Sequence, residues 1–223
     1  MHAILLHNSP IYLAALAART CSGTTHLLDS SGDSLGPKDE KLLSRKVLKL
    51  NETPNRFNPP HESVIEHLYY TFDLGTLRAV LQHLTKHRIA STSVESTRVT
   101  MHRVLKNIDA NNVCSVVQLT GILEIDTLIQ NQIVAVANLV KRDGSDSVAN
   151  DKAKLALCEA FNTRLIMTIN ARSLRNFLAL RTAPQTMQET RDLAYAMFRA
   201  LPEQHKFLFT DCVFNVKQVD KSE

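Results

Sequence analysis

Residues 170–181 have the sequence NARSLRNFLALR, which carries the clearest helical pattern next to a predicted strand. Its apolar residues Leu174, Phe177 and Leu178 recur at helical spacing, which predicts a helix over 173–181 with one face in the core. An apolar and β-branched run stands just before the stretch and predicts a strand. The two elements together indicate a protein that contains both helix and sheet.

The charged residues of this stretch face two different environments in the predicted helix. Arg172 and Asn176 lie four residues apart and share a polar face. Arg181 instead continues the apolar row, where an unpaired buried charge would cost about 3–5 kcal/mol. Arg181 therefore needs an anion or an acceptor opposite it, either from a ligand or from an internal ion pair with Glu189 or Glu159.

Hydrophobic periodicity predicts the other elements of the chain. Helices are predicted over 11–19, 41–50, 76–87, 121–141, 148–161, 187–201 and 203–212, with a helical turn over 63–67, and strands over 3–7, 68–74 and 165–169. Residues 22–38 are predicted to form a mobile loop, and the prolines of 51–60 to enforce an extended connector. We predict one catalytic domain over 1–223, of the α/β (α+β) class, with a mixed sheet, flanking helices and helix in excess.

Length and composition are those of a soluble globular domain. The chain has 223 residues, of which 44% are hydrophobic and 22% charged, which excludes disordered, collagenous and membrane-spanning classes. Its longest apolar runs are far shorter than the roughly 18 residues that a bilayer span needs. Aromatic residues make up only 5% and Trp is absent, which argues against stacking platforms for nucleic acid. We expect neither a membrane nor a nucleic acid as a partner.

The net charge of +4 is unevenly distributed. Residues 76–106 contain six basic residues and one acidic residue, and residues 162–182 contain four basic residues and no acidic one. These segments therefore carry +5 and +4, which leaves −5 for the remainder of the chain. Two basic segments in an otherwise acidic protein indicate a local anionic ligand better than a general polyanion surface.

A phosphate group in this protein would have to be held by side chains. The six glycines form no dinucleotide-binding fingerprint, and the nearest approach to a phosphate loop, residues 32–38, is too short and contains Pro37. Lys86, His87 and Arg88 end a predicted helix, where cations also complement the helix dipole. The residues that follow add hydroxyl groups and a guanidinium suited to phosphate oxygens, namely Ser91, Ser93, Ser96, Thr97 and Arg98.

The remaining cluster, residues 61–67, has the sequence HESVIEH and does not predict a metal site. A zinc-binding HExxH motif needs two histidines four residues apart on one helix face, whereas His61 and His67 are six apart. The four cysteines form no CxxC pair, and the first residues lack the features of a secretory signal. We therefore expect no metal and a cytoplasmic location.

Taken in order, these three clusters resemble the motifs of the flavin-dependent thymidylate synthases. That family carries Arg-His-Arg, a Ser three residues later, and then a further Ser and Arg, which the chain matches within 86–98. The family's His-Glu-x-x-x-Glu-His is matched at 61–67. Its Asn-Ala-Arg-Ser-Leu-x-Asn-Phe-Leu-x-Leu-Arg is matched at every fixed position of 170–181. The resemblance extends from about Arg19 to the C-terminal helices.

The resemblance implies a flavoprotein methyltransferase of dTMP biosynthesis. The family is a homotetramer in which FAD and dUMP bind between subunits. NADPH would reduce FAD, 5,10-methylenetetrahydrofolate would give its one-carbon unit to C5 of the uracil, and the flavin hydride would complete the methyl group. The family uses no cysteine nucleophile on the pyrimidine.

Matching positions within the motifs implies three groups of site residues. The implied catalytic residues are Arg181, beside the uracil carbonyl, and His61. The residues implied to contact FAD are Ser63, Glu66, Lys86, His87, Arg88, Ile89, Ser93, Asn170, Arg172 and Asn176. The residues implied to surround dUMP are His83, Lys86, Ser91, Glu95, Ser96, Thr97, Arg98, Lys154 and Arg181, with Arg98 and the hydroxyl groups on the monophosphate.

The chain departs from the family pattern at several of these positions. Lys86, His83 and Lys154 stand where Arg, Gln and Arg are common, and Cys21 and Gln185 stand where Ser and His are common. Val94 stands where many members have Glu, and the adjacent Glu95 is expected to face the other way on a strand. These departures leave two other hypotheses open: a related flavin-dependent methylase or hydroxymethylase acting on another pyrimidine nucleotide such as dCMP, and a non-catalytic anion- or RNA-binding module.

Overall fold

The structure is a computed structural model that describes residues 1–50, 52, 57, 59–144 and 146–215. Its strands are β1 (His2–Asn8), β2 (Tyr69–Leu77), β3 (Ala90–Val94) and β4 (Asn162–Asn170). Its α-helices are α1 (Tyr12–Cys21), α2 (Pro37–Lys41), α3 (Arg78–Thr85), α4 (Thr97–Leu105), α5 (Leu123–Asp143), α6 (Ser147–Lys154), α7 (Ala171–Arg181), α8 (Gln188–Arg199) and α9 (Glu203–Lys206). Short 3-10 helices occupy Thr25–Leu27, Glu62–His67 and Val113–Ser115, and a wider π-type helix occupies Leu42–Val47.

The strands form one sheet in the order β1-β2-β4-β3. Strands β2 and β4 are antiparallel, since the Ala171 amide donates to the Leu68 carbonyl at 2.8 Å and the hydroxyls of Thr71 and Thr168 lie 3.0 Å apart. Strand β3 forms an edge of the sheet. The predicted fold class, helix and sheet with helix in excess, is confirmed.

The described residues form two compact units that alternate along the chain. The first unit contains Met1, Gly75–Lys86 and Ser93–Leu165. The second unit contains His2–Leu74, His87–Thr92 and the described residues from Ile166 onward. A single catalytic domain over the whole chain stays a prediction.

Each unit has its own apolar core. In the first unit, α5 buries Ile129, Ile133, Val136 and Val140, whose spacing is that of one helix face. In the second unit, the largest buried side chains are aromatic, including Tyr70, Phe72, Phe177, Phe198 and Phe209. Among the described residues, no helix is both long and apolar enough to cross a membrane.

Several predicted elements have different bounds in the structure. The helix predicted over 148–161 ends at Lys154, the one over 203–212 ends at Lys206, and the one over 41–50 is divided between α2 and the π-type helix. Helix α4 and strand β3 have no counterpart among the predicted elements, because their sequences are largely polar and have weak apolar periodicity. Most of the connector predicted over 51–60 lies outside the described residues.

Asp39 organises the segment predicted to be a loop over 22–38. Its carboxylate is fully buried, and it accepts hydrogen bonds from Arg19 Nε at 2.7 Å, from Ser30 Oγ at 2.8 Å and from the Asp29 amide at 3.0 Å. The Asp29 carboxylate in turn accepts from the Lys38 and Asp39 amides at the start of α2. These contacts tie the end of the segment to α1, and the mobility of the segment stays a prediction.

We expect Asp39→Asn to lower the free energy of unfolding by about 3 kcal/mol, because it leaves the buried Arg19 guanidinium without its anion. Burial alone would raise the pKa of Asp39, but the hydrogen bonds from Ser30, Arg19 and Asp29 outweigh it and hold the pKa below its usual value. The stabilisation is therefore present above about pH 4 and is lost as the pH falls through the folded-state pKa.

Denaturant unfolding of both proteins between pH 3 and pH 7 measures this contribution. Asp143→Asn is the matched control, because Asp143 forms its ion pair with Arg142 at the surface, where such pairs contribute little to stability. Equal losses in the two variants at pH 7 would contradict the role given to Asp39.

Candidate active site

A group of alternating charges lies where the 3-10 helix Glu62–His67 meets helix α7, in the second unit. Arg172 Nη1 donates to Glu66 Oε1 at 2.6 Å, and Arg172 Nε lies 3.8 Å from Glu62 Oε2. Both side chains of the Arg172–Glu66 pair are about half exposed, and Asn176 lies on the same exposed face of α7. The structure thus brings together three residues predicted to contact FAD.

Helix α7 is set directly on the end of strand β4. Asn170 Oδ1 accepts a hydrogen bond from the Ser173 amide at 2.8 Å, which caps the helix. Asn170 is only 6% exposed, so its oxygen is committed to the fold and its predicted contact with a ligand is limited to the amide nitrogen.

Arg181 and His87 form a polar pair at the C-terminal end of α7. Arg181 Nε donates to His87 Nε2 at 3.2 Å, and the His87 ring packs edge-on against Phe177 with 4.9 Å between ring centroids. Burial, together with the positive charge of Arg181, lowers the pKa of His87 to about 4. His87 is therefore neutral at pH 7, with its proton on Nδ1, and Arg181 lies half-buried at this end of the helix.

The other predicted residues of the second unit lie on its surface. His61 and Ser63 are exposed at the start of the 3-10 helix, and Arg88 and Ser91 are exposed beside or within β3. Ile89 also lies at the surface, with 71% of its surface exposed, as do several other large apolar side chains among the described residues.

The first unit contains a cavity of about 320 Å³ beside helix α3 and the N-terminus of α4. The predicted dUMP residues Glu95, Ser96, Thr97 and Lys154 line it. The other lining residues are Arg78, Leu81, Gln82, Val94, Glu159 and Thr163. Two cations, two carboxylates, hydroxyl groups and the positive end of a helix dipole therefore meet at one cavity. The cations, hydroxyls and helix N-terminus can bind an anion, and the carboxylates can accept hydrogen bonds from a ligand's donors.

Two cations of this cavity have no ion-pair partner among the described residues, namely Arg78 and Lys154. Arg78 Nε is also buried without a hydrogen-bond partner in the described part of the chain. By contrast, Arg98 pairs with Asp151 at 3.2 Å and does not line the cavity, although it was predicted to hold the monophosphate.

Sequence reasoning missed Arg78 and Gln82 as lining residues. They lie four residues apart on α3 and share a helix face, which the periodicity of that helix could have indicated. Gln82 lines the cavity, whereas its predicted neighbour His83 does not, and Lys86 and Ser93 are exposed outside it.

Strand β3 ends at Val94, so Glu95 does not continue it and the alternation of a strand does not apply between the two residues. Both residues line the same cavity. The carboxylate of Glu95 also lies 3.5 Å from Arg103. Glu95 thus places a carboxylate next to position 94, where many members of the family that the chain resembles have Glu.

Among the described residues, no group of three or more His, Cys, Asp or Glu side chains could hold a metal ion. All four cysteines are free thiols, and Cys21 and Cys114 are exposed.

Comparison with known proteins gives consistent matches over nearly the whole chain. Residues 4–205 match the family model described as thymidylate synthase complementing protein. A flavin-dependent thymidylate synthase of Helicobacter pylori is 37% identical over 220 residues, which cover 96% of this chain and 99% of the relative. One from Campylobacter jejuni is 36% identical, with coverages of 96% and 98%.

The fold is also similar to that of a solved structure with ligands. The crystal structure of the flavin-dependent thymidylate synthase ThyX of Helicobacter pylori, complexed with FAD and dUMP, superposes with a TM-score of 0.82. The two chains are 34% identical, and the match covers 96% of this chain and 100% of that one.

We expect Arg181→Gln to raise the pKa of His87 from about 4 while leaving it below 6.5, because the positive charge is removed but the burial remains. Titration of the histidine ring signals by NMR measures this shift. Arg142→Gln is the control, because Arg142 is exposed, pairs with Asp143 and lies far from His87 in the sequence. An unchanged pKa in Arg181→Gln would show that the charge of Arg181 does not act on His87.

Proposed function

Because the chain belongs to the flavin-dependent thymidylate synthases, we propose that it binds FAD and dUMP and methylates dUMP to dTMP. The observation that carries this proposal is the cavity of the first unit, which is lined by Ser96, Thr97 and two cations, Arg78 and Lys154, that form no ion pair among the described residues. Such cations are suited to a nucleotide monophosphate.

The donor set of the second unit fits FAD. Arg172 and Arg88 are exposed cations that can neutralise a pyrophosphate, and the Glu66 carboxylate and Asn176 amide can bind ribose hydroxyls or ring edges. No glycine cradle is needed, since all of these groups are side chains. We assign the cofactor to these residues, with His61, Ser63, His87, Ile89 and Asn170 completing the set. Lys86 and Ser93, which the family resemblance also implies for FAD, belong to the first unit.

The nucleotide is assigned to the residues of the first unit. Arg78, Lys154, Ser96 and Thr97 would hold the monophosphate, with the N-terminal amides of α4 adding donors. Glu95 would accept from the sugar or the base. Arg98 would join this set on release from Asp151, and His83 lies on α3 of the same unit. Ser91, which the family resemblance also implies for dUMP, lies on β3 within the second unit.

Reduced FAD supplies a hydride to the one-carbon unit, and 5,10-methylenetetrahydrofolate supplies the carbon. The residues of this chain position the reacting groups and stabilise charge. Arg181 carries its guanidinium beside a neutral histidine, and it would stabilise the negative charge that develops on the uracil carbonyl as C5 becomes nucleophilic. Fixing the nucleotide at its phosphate end reduces the entropy cost of bringing the ring into position.

The remaining features of the proposal come from the family resemblance. They are NADPH as the reductant, a homotetramer with active sites shared between subunits, and a cytoplasmic location. The four free cysteines are compatible with a reducing compartment. The exposed Ile89 and edge strand β3 are compatible with a site that another subunit completes.

The two other hypotheses are not favoured. The relatives are named thymidylate synthases and the solved relative holds dUMP, which favours dUMP over dCMP. A non-catalytic anion- or RNA-binding module would not account for similarity over the whole length of these enzymes.

We expect the purified protein to be yellow, to release FAD on denaturation, and to convert dUMP to dTMP with NADPH and methylenetetrahydrofolate under anaerobic conditions. A parallel assay with dCMP tests the substrate. Methylation of dCMP alone would overturn the assignment of dUMP, and a colourless protein that cannot be reconstituted with FAD would overturn the whole proposal.

We expect Arg78→Gln and Arg181→Ala to affect different kinetic constants. Arg78→Gln should raise the KM for dUMP about tenfold or more with a smaller change in kcat, because it removes a charge-assisted phosphate contact. Arg181→Ala should lower kcat about a hundredfold while FAD stays bound, because it removes stabilisation of developing charge. Steady-state kinetics with varied dUMP separates the two, and an unchanged KM in Arg78→Gln or a normal kcat in Arg181→Ala would contradict the respective assignment.

A further inference from the structure

Arg175 is the most fully paired charged side chain at the junction of α7 with the C-terminal turns of the second unit. Its residue is 7% exposed. Its Nε donates to Glu62 Oε1 at 2.8 Å, and its two terminal nitrogens each donate to an oxygen of Asp211 at 2.7 Å. Nη1 also donates to the Leu208 carbonyl. Arg175 stands at a position of the 170–181 motif that the resembling family leaves variable, so the resemblance assigns it no role.

The charges around Arg175 form an alternating series. Asp211 pairs with Arg175, Arg175 with Glu62, Glu62 approaches Arg172, and Arg172 pairs with Glu66. The series runs from Asp211 through the buried guanidinium of Arg175 to the half-exposed Arg172 and Glu66, which are assigned to FAD. Glu62 lies between two cations, whereas Asp211 and Glu66 each pair with one.

Glu62 connects Arg175 to Arg172, because its two carboxylate oxygens lie towards different guanidinium groups. Its Oε1 is held by Arg175 at 2.8 Å, while its Oε2 is 3.8 Å from Arg172 Nε, beyond hydrogen-bond distance. Without Arg175, Glu62 would be a partly buried carboxylate with Arg172 as its nearest cation in the series. Glu62 would then compete with Glu66, and with a bound anion, for the Arg172 guanidinium.

We propose that Arg175 is a positioning residue for the flavin site, which holds Glu62 away from Arg172 and so keeps Arg172 available to the cofactor. This inference rests on the proposed function, because it takes Arg172 as a ligand of FAD. Arg175 itself touches neither FAD nor the nucleotide in this proposal, and it acts through Glu62.

A purely structural anchor would make a different prediction. If Arg175 only fastened the C-terminal turns to α7, removal of Glu62 in addition to Arg175 would also remove the ion pair between Glu62 and Arg172 and weaken the protein further. If Arg175 instead restrains Glu62, removal of the Glu62 charge relieves the competition and restores the cofactor site. The two roles therefore predict opposite effects of Glu62→Gln on an Arg175 variant: weaker FAD binding for a structural anchor, and restored FAD binding for a positioning residue.

The experiment measures FAD binding by the complete chain, after removal of bound flavin, through flavin fluorescence and the flavin absorbance spectrum. The variants are Arg175→Met, Arg175→Lys, Glu62→Gln, and each Arg175 change combined with Glu62→Gln. Arg175→Lys keeps the positive charge but loses the planar fork, and it serves if Arg175→Met fails to fold. Arg142→Met, a change at an exposed guanidinium in the first unit, is the control.

We expect Arg175→Met to raise the Kd for FAD roughly tenfold, the usual size of coupling within one ion-pair network, and Arg175→Lys to raise it about threefold. Addition of Glu62→Gln should return the Kd to within about twofold of Glu62→Gln alone, as expected when the coupling between the pair is lost. Thermal unfolding of the double variants should not recover, since neither ion pair is restored.

An Arg175→Lys protein that folds and binds FAD as tightly as the wild type would overturn the inference and leave the proposed function in place. A double variant that binds FAD more weakly than either single variant would also overturn it, in favour of a structural anchor. A wild-type protein that binds no FAD would overturn the proposed function and this inference together.

Discussion

Direct passage from strand to helix is the constraint on which both candidate sites depend. Strand β2 ends at Leu77 and α3 begins at Arg78, and strand β4 ends at Asn170 and α7 begins at Ala171, with no residue between. In each case the first helical amide donates to a carbonyl next to the paired strand, Arg78 to Phe161 at 3.0 Å and Ala171 to Leu68 at 2.8 Å. Because the sheet fixes the start of each helix, the side chains of its first turns have fixed positions.

Pairing of charges separates side chains that maintain the fold from those available to ligands. Arg19 and Arg175 are buried, and each is held by a carboxylate at about 2.7–2.8 Å. Arg172 is half exposed and shares its charge with Glu66, while Arg78 and Lys154 form no ion pair among the described residues. A guanidinium that already satisfies a buried carboxylate cannot bind a substrate phosphate without loss of stability, whereas an uncommitted cation at a cavity can.

The sequence predicted the elements with strong apolar periodicity and missed those without it. Helices α5 and α7 begin and end within two residues of their predicted bounds, because an apolar stripe and a cap mark each of them. Helix α4 was missed because its sequence has mostly polar positions, and only Met101 and Leu105 are buried. The segment 155–161 has helical composition but forms turns whose backbone pairs with other parts of the first unit, as in the bond from the Gln118 amide to the Ala160 carbonyl.

The candidate site divides in the same way between sequence and structure. By itself, the sequence determined the mixed fold class, the two basic segments and the three motif clusters, because period, charge and motif spacing are properties of residue order. Only the tertiary structure decided which cations form ion pairs within the protein. Arg175 pairs with Glu62 and Asp211, and Arg98 pairs with Asp151, whereas Arg78 lines the cavity. Such pairings join residues up to 113 positions apart, as in Arg175 and Glu62. The free energy of an ion pair depends on distance and burial, which residue order does not specify.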